Sequence, residues 1–135
     1  MSSALAIAAS GMAAASLRLN VSASNVANMS ATGPMPDASA SSIAGFPAAY
    51  VPLRVDQVDV AGGTSARITT VTPSSVPMYD PAAPYADKNG LVAAPNVDLA
   101  NEVVQQITAR YTFAANAEVM RAESQMLRAI LDIKA

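Results

Sequence analysis

The sequence predicts a mainly α-helical fold with a small β patch, in which two long terminal helices enclose a middle region of different composition. Residues 4–27 and 98–134 are rich in alanine and carry apolar side chains at steps of three or four residues, which is the spacing of one helical face. All nine prolines, most of the glycines and the only strand-like runs lie between these segments.

These observations divide the chain into three regions. Residues 1–30 form an N-terminal axial helix, residues 31–97 a linker rich in Pro, Gly and Ser with a small β-rich middle region, and residues 98–135 a C-terminal axial helix. Neither helix can bury its apolar face alone. We therefore expect the two helices to form a coiled coil or bundle, both within one subunit and between subunits.

Composition excludes several function classes. The chain has no cysteine and no histidine, which rules out disulfides and thiolate zinc sites and removes the commonest general base. The net charge is −2 and the sequence contains no basic patch, so a nucleic-acid partner is not expected. We also expect no cofactor, no metal and no small-molecule substrate.

The first helix starts after Ser2 or Ser3, either of which could cap it. Its apolar face follows steps of three and four residues from Leu5 to Val26. Gly11 lies beside this face, and we favour a close helix crossing there over a merely tolerated glycine. The segment 31–34 contains a glycine and a proline and ends the helix.

The same N-terminal segment does not have the order of a secretory signal. Its first basic residue, Arg18, follows the apolar stretch, whereas a signal peptide carries its positive charge before that stretch. No uninterrupted apolar run reaches about 18 residues, so we expect no membrane-spanning helix.

The middle region predicts a linker, a hairpin and a turn. Residues 31–49 predict either a flexible linker or a segment that orders against a neighbour. In residues 50–72 apolar residues alternate with polar residues or proline, and Gly62-Gly63 is a turn signal. This pattern predicts a hairpin or three-stranded patch with Pro52 at an edge. Residues 87–90 predict a plain turn, since the surrounding positions lack the oxygen ligands of a calcium loop.

The last helix has the clearest signals in the chain. Asp98 is placed to cap it, and Glu102 in the first turn favours the helix dipole. Its apolar stripe comprises Val104, Ile107, Tyr111, Ala115, Val119, Ala122, Met126, Ile130 and Ile133. Val103, Leu127 and Leu131 widen the stripe, which favours more than one partner helix.

No residue pattern indicates catalysis. The carboxylates are scattered, no base lies at a telling spacing from a nucleophile, and phosphate-binding and nucleophile-elbow motifs are absent. Glu118 and Arg121 are spaced for a solvated pair. Asn25 and Asn28 allow two interpretations: a frayed, capped helix end, or side-chain amides bonded to a neighbouring backbone.

Two stretches resemble the bacterial flagellar axial proteins, the family of rod and hook subunits. At the N-terminus, residues 10–12 and 18–28 are similar to the signature of that family. Residues 80–87, 90–98 and 102–119 resemble the proximal-rod members more than the others. Residues 31–79 match only weakly, and Leu91 stands where those proteins usually have tyrosine.

The resemblance implies a structural subunit and no enzyme. Such proteins are exported by the flagellar type III apparatus without signal cleavage and polymerise in the periplasm into a proximal rod, which transmits torque and surrounds the export channel. The implied partners are other copies and other rod proteins, namely proximal-rod, distal-rod and rotor-ring adaptor subunits. The expected interface residues are Leu5, Met12, Leu19, Asn25, Val26, Asn28, Val104, Ile107, Tyr111, Val119, Met126 and Ile130. The alternatives are a sister proximal-rod subunit and a membrane-surface amphipathic binder.

Overall fold

A computed structural model describes residues 3–36 and 45–134 and has the predicted architecture of two long helices around a small β region. Helix α1 spans Ser3–Ala27 and helix α2 spans Leu99–Lys134. The four strands are β1 (Leu53–Val60), β2 (Gly63–Thr70), β3 (Ser75–Tyr79) and β4 (Leu91–Pro95). They form two separate two-stranded antiparallel sheets, β1–β2 and β3–β4.

The start of α2 follows the sequence prediction closely. Asp98 accepts a hydrogen bond from the amide of Ala100 at 2.9 Å, and its backbone carbonyl accepts one from Glu102 at 3.0 Å. The capping prediction is therefore confirmed. At the other end of the chain, Ser3 is already helical, and Ser2 lies outside the described residues.

The two helices pack antiparallel along a face of small residues. Gly11 lies against the side chain of Asn116, and the Ser22 hydroxyl donates to the carbonyl of Glu102 at 3.0 Å. A Cβ atom at Gly11 would come within 2.7–2.9 Å of the Asn116 amide group, so the close crossing expected at this glycine is confirmed. The buried alanines of the two helices are Ala8, Ala14, Ala15 and Ala109.

The buried face of α1 is not its apolar stripe. The stripe passes through positions 9, 12, 16 and 23, whereas the closed contact passes through 8, 11, 15 and 22, each one residue earlier. One residue turns a helix by about 100°, so the two sets occupy different faces. Small side chains close the pair because they let the two backbones approach each other closely.

The predicted hairpin is β1–β2. The strands pair from Leu53 opposite Thr70 to Val60 opposite Gly63, and Gly62 adopts the positive φ of 90° that this tight turn requires. Pro52 precedes the first strand, and its carbonyl accepts a hydrogen bond from the amide of Val71 at 2.9 Å. The prediction of a hairpin within residues 50–72 is confirmed.

The second sheet was not predicted. Strand β4 pairs with β3 along one edge, and along the other edge Gly33 exchanges two backbone hydrogen bonds with Ala93, at 2.9 and 3.0 Å. Residues 92–95 are buried between these neighbours. The start of the expected linker is therefore ordered as a short bridge within the chain, and residues 37–44 lie outside the described part.

The turn at residues 87–90 is a plain turn, as predicted. The Asp87 side chain accepts hydrogen bonds from the amides of Asn89 and Leu91, and Gly90 has a φ of 74°. Among residues 3–36 and 45–134, no group of three or more acidic residues could hold a metal ion.

Helix α1 is apolar enough and long enough, over Ala4–Ala27, to cross a membrane by length and composition alone. This differs from the expectation drawn from uninterrupted apolar runs, because a window average tolerates the interrupting serines. In the structure the helix packs against α2 and the β1–β2 hairpin, and the packed core helix of a soluble protein meets the same criterion.

Candidate subunit interface

The apolar stripe of α2 is open to solvent. Ile107 is 49% exposed and Tyr111 75% exposed, and the other members of the stripe from Val104 to Ile130 are exposed as well. The remaining exposed members of the expected interface on this helix are Val104, Val119, Met126 and Ile130. The stripe faces away from α1, because α1 covers the side of α2 that contains Ala109 and Asn116.

The expected interface residues of α1 lie at the margin of the closed contact. Leu5, Met12, Leu19 and Val26 are each partly exposed. Leu19 also lines a shallow groove between the two helices, together with Ala15, Phe113 and the Arg110 side chain.

The C-terminal part of α2 extends beyond its partner helix. Gly11 lies opposite Asn116, and the helices are antiparallel, so α1 begins opposite about residue 124 of α2. Every residue from Ser124 to Asp132 is exposed. We call this segment the overhang of α2; its large apolar side chains are Met126, Leu127, Ile130 and Leu131.

The total accessible surface agrees with incomplete burial. The chain exposes 8921 Å². A compact monomer of 13.7 kDa exposes about 6,600 Å². Exposed apolar patches that exceed a few hundred Å² in a monomer indicate interaction sites. The stripe and the overhang are therefore the best candidates for contact with other subunits.

Asn25 has a different environment from the other expected interface residues. It is only 2% exposed, and its side-chain amide bonds to Leu53, Tyr50 and Glu102 of the same chain. The interpretation of an amide bonded to a neighbouring backbone is confirmed for this residue. Asn25 therefore lies beneath the surface that another subunit can reach.

Asn28 bonds within its own helix: its side-chain amide donates to the carbonyl of Ser24, one turn earlier, at 2.8 Å. The backbone amide of Asn28 donates to the same carbonyl at 3.1 Å, so the side chain adds a second donor there. Asn28 does not have the left-handed φ that a capping asparagine would adopt. Asn28 remains partly exposed.

Charged side chains form little organised structure at these surfaces. Arg121 and Glu118 make the expected exposed pair at 2.9 Å, and Arg54 lies 3.3 Å from Asp56 on the hairpin. Such exposed pairs contribute at most about 1 kcal/mol. Within residues 3–36 and 45–134, these two are the ion pairs present, and both lie at the surface.

Sequence reasoning missed the residues that close the helix pair. Ala8, Ala15, Ala109 and Asn116 were not singled out, since hydrophobicity scales give small or polar residues little weight. The available signal was spacing: the small residues Ala8, Gly11, Ala15 and Ser22 also recur at helical intervals. A search for small residues at steps of three, four or seven would have found this face.

Comparison with known proteins identifies both terminal segments. Residues 5–34 match the family model "Flagella basal body rod protein", and residues 88–133 match "Flagellar basal body rod FlgEFG protein C-terminal". A flagellar basal-body rod protein FlgC from Salmonella typhimurium is 38% identical over 125 residues, which cover 90% of this chain and 88% of the relative. FlgC of Borreliella burgdorferi is 31% identical over 146 residues, covering 97% and 95%. FlgC of Agrobacterium fabrum is 29% identical, covering 98% and 94%.

Proposed function

The chain belongs to the family of flagellar basal-body rod proteins, and on this premise we propose that it is a structural subunit of the proximal rod of a bacterial flagellum. The observation that supports a polymerising role is the exposed apolar stripe of α2. It contains Ile107 and Tyr111 at its centre and continues into the overhang. A helix of 36 residues with such a stripe is suited to packing against helices of other molecules.

Assembly through these surfaces would leave the internal contact intact. In each subunit α1 and α2 stay paired along their small-residue face, while the stripe and the partly exposed Leu5, Met12, Leu19 and Val26 contact adjacent subunits. A contact between two different patches does not close on itself and therefore generates a helical filament. A tube of this kind transmits torque through interlocked helices and encloses a channel for later subunits.

The partners in this proposal are other copies of the chain and other rod proteins of the proximal rod, the distal rod and the rotor-ring adaptor. We also propose export by the flagellar type III apparatus without signal cleavage, and a periplasmic location within the basal body. The position of Arg18, after the apolar stretch, supports this route. The intact mass of the chain recovered from isolated basal bodies tests it, and a shortened N-terminus would contradict it.

The test of the assembly surface is Ile107→Asp. The side chain is half exposed, so the charge should alter folding little, whereas in an apolar contact between subunits it would be desolvated without a partner. Bacteria in which this variant replaces the native copy should lose swimming, and the variant should be absent from purified basal bodies. Circular dichroism of the purified chain should show unchanged helicity.

The matched control is Gln106→Asp, at the preceding and partly exposed position, which points about 100° around the helix from Ile107 and away from Val104 and Tyr111. This variant should keep most of its swimming and its place in the basal body. Normal swimming by the Ile107→Asp strain would contradict the proposed interface, and equal loss in both strains would show that any charge on α2 is harmful.

A membrane-surface binder is the alternative from another class. The observation in its favour is that α1 is long enough and apolar enough to cross a membrane. Against it, α1 packs along α2 and carries Arg18 as its one charged side chain, whereas surface-binding helices are rich in Lys and Arg. Flotation of the purified chain with anionic vesicles separates the two, because a rod subunit should remain with the soluble fraction.

A further inference from the structure

The buried side chain of Asn25 connects three parts of the molecule: helix α1, helix α2 and the β1–β2 hairpin. We propose that Asn25 is a positioning residue. Its side-chain amide pairs with β1 as the backbone of a neighbouring strand would, and thereby holds the hairpin against the helix pair. This inference goes beyond the proposed function and does not depend on it, because every atom involved belongs to one chain.

The contact with Leu53 has the form of strand pairing. The Asn25 oxygen accepts a hydrogen bond from the Leu53 amide at 3.0 Å, and the Asn25 nitrogen donates to the Leu53 carbonyl at 2.7 Å. Two residues that face each other in an antiparallel sheet exchange the same pair of bonds. Leu53 is the first residue of β1, so the amide holds the hairpin where it begins.

The remaining hydrogen bonds of the amide connect it to α2 and to Tyr50. The nitrogen also donates to Glu102 Oε1 on α2 at 2.7 Å, and the oxygen also accepts from the Tyr50 hydroxyl at 3.1 Å. An asparagine side chain has two donor hydrogens and two acceptor sites, and all four are used here. The amide is fully satisfied only when both the hairpin and α2 are in place.

The hairpin has few other means of attachment to α1. Arg18 bonds to Gln57, and Ser10 accepts from the amide of Thr64 at 3.1 Å. With Asn25, these residues recur about every two turns along α1 and hold both strands of the hairpin. The large apolar side chains Val58, Val60 and Ile68 of the hairpin are exposed, whereas Leu53 and Val55 are partly buried. Asn25 is the buried member of the set.

The test uses changes that preserve the shape of the side chain and alter its hydrogen bonding and its charge. Asn25→Asp removes both donors and places a carboxylate beside Glu102. Hydrogen exchange of the hairpin amides at 53–70, measured by mass spectrometry on the full chain, should accelerate about tenfold or more, since buried acceptors are left unsatisfied. Exchange at 109–116, in the middle of the helix pair, should change much less.

A second change separates hydrogen bonding from packing. Glu102→Gln alone should have little effect, because the Gln oxygen still accepts from Asn25. In the double variant Asn25→Asp with Glu102→Gln, the Gln nitrogen donates to the new carboxylate, and part of the hairpin protection should return. Asn25→Leu has a similar shape and adds no charge. A merely space-filling Asn25 would keep the hairpin protection in Asn25→Leu, whereas a positioning amide would lose it.

Clear outcomes would overturn the proposal. Hairpin exchange that is equal in Asn25→Asp and the unaltered chain would do so, as would hairpin amides that are unprotected in the unaltered chain. If Asn25→Asp fails to fold, Tyr50→Phe removes a single donor to the Asn25 oxygen. Exchange around residue 53 should then be a few-fold faster in that variant, and an unchanged rate would contradict the proposed positioning role of Asn25.

Discussion

The two faces of α2 differ in the kind of residue they present and in what covers them. The face toward α1 is built from small or polar residues such as Ala109 and Asn116 and is closed within the chain. The opposite face carries the large apolar residues, with Ile107 and Tyr111 among them, and is open. In most soluble proteins the large apolar residues are the ones inside.

This difference shows how the chain divides its stabilising interactions. The internal contact relies on close backbone approach at Gly11 and on hydrogen bonds from Ser22 and Asn25. Burial of a large apolar side chain stabilises by about 1.5–3 kcal/mol when it is complete. In the proposed assembly, the internal contact specifies which faces of the two helices meet, and burial of the open stripe drives association between subunits.

The strongest test of the comparison introduces the same charge on each side of the boundary. Ala109→Asp places a carboxylate at a position that is 1% exposed, without a cationic partner, and should lower the free energy of unfolding by about 3–5 kcal/mol. Ala114→Asp, at an exposed position on the same helix, should change it by less than about 0.5 kcal/mol. Urea unfolding followed by circular dichroism measures both, and similar losses would mean that the two faces are not distinct.

A smaller effect is expected from adding volume at the helix crossing. Gly11→Val directs branched carbon atoms into the Asn116 side chain and should lower the free energy of unfolding by about 1–3 kcal/mol. Thermal unfolding compares it with Ala13→Val, which adds the same kind of side chain at an exposed position of α1. The partner change Asn116→Ala should recover part of the loss, and no recovery would place the strain elsewhere.

The smallest effect on stability is expected in the overhang. Leu131→Asp alters a side chain that is 67% exposed and lies beyond the start of α1, so the free energy of unfolding should change by less than about 0.5 kcal/mol. The amount of the chain in purified basal bodies should nevertheless fall, because the overhang loses apolar contact area. A clear loss of monomer stability instead would show that the overhang folds back onto its own subunit.

The terminal helices and the hairpin could be predicted because their signals are local. Apolar steps of three and four residues and the cap at Asp98 gave the helix bounds to within one residue. The glycine pair at 62–63 marked the hairpin turn. In each case the deciding residues lie a few positions apart in the chain, so no tertiary information was needed.

The second sheet could not be predicted for the opposite reason. Strand β3 contains Pro77, which argues against a strand, and β4 is short and rich in alanine. The pairing of Ala93 in β4 with Gly33 joins residues that lie far apart in sequence. Such a pairing depends on how the helices bring the two segments together, and the composition of either segment carries no sign of it.

The candidate interface was predicted in part. The exposed members of the stripe and the partly exposed residues of α1 remain predictions for contacts between subunits. Asn25 was expected at the interface and is instead internal to the chain, since its four hydrogen bonds go to three residues, Leu53, Glu102 and Tyr50, that meet only in the folded structure. Hydrophobic patterning cannot distinguish such a residue from an ordinary helix-end asparagine.

The bridge between Gly33 and Ala93 joins the chain just after α1 ends and just before α2 begins, so both long helices converge on one small sheet. One helical residue added in the first turn of α2 would slide the rest of that helix by about 1.5 Å and rotate it by about 100° relative to this sheet. Ala109 and Asn116 would then turn away from α1. The sheet and the small-residue face therefore have to agree in register along a helix more than 50 Å long.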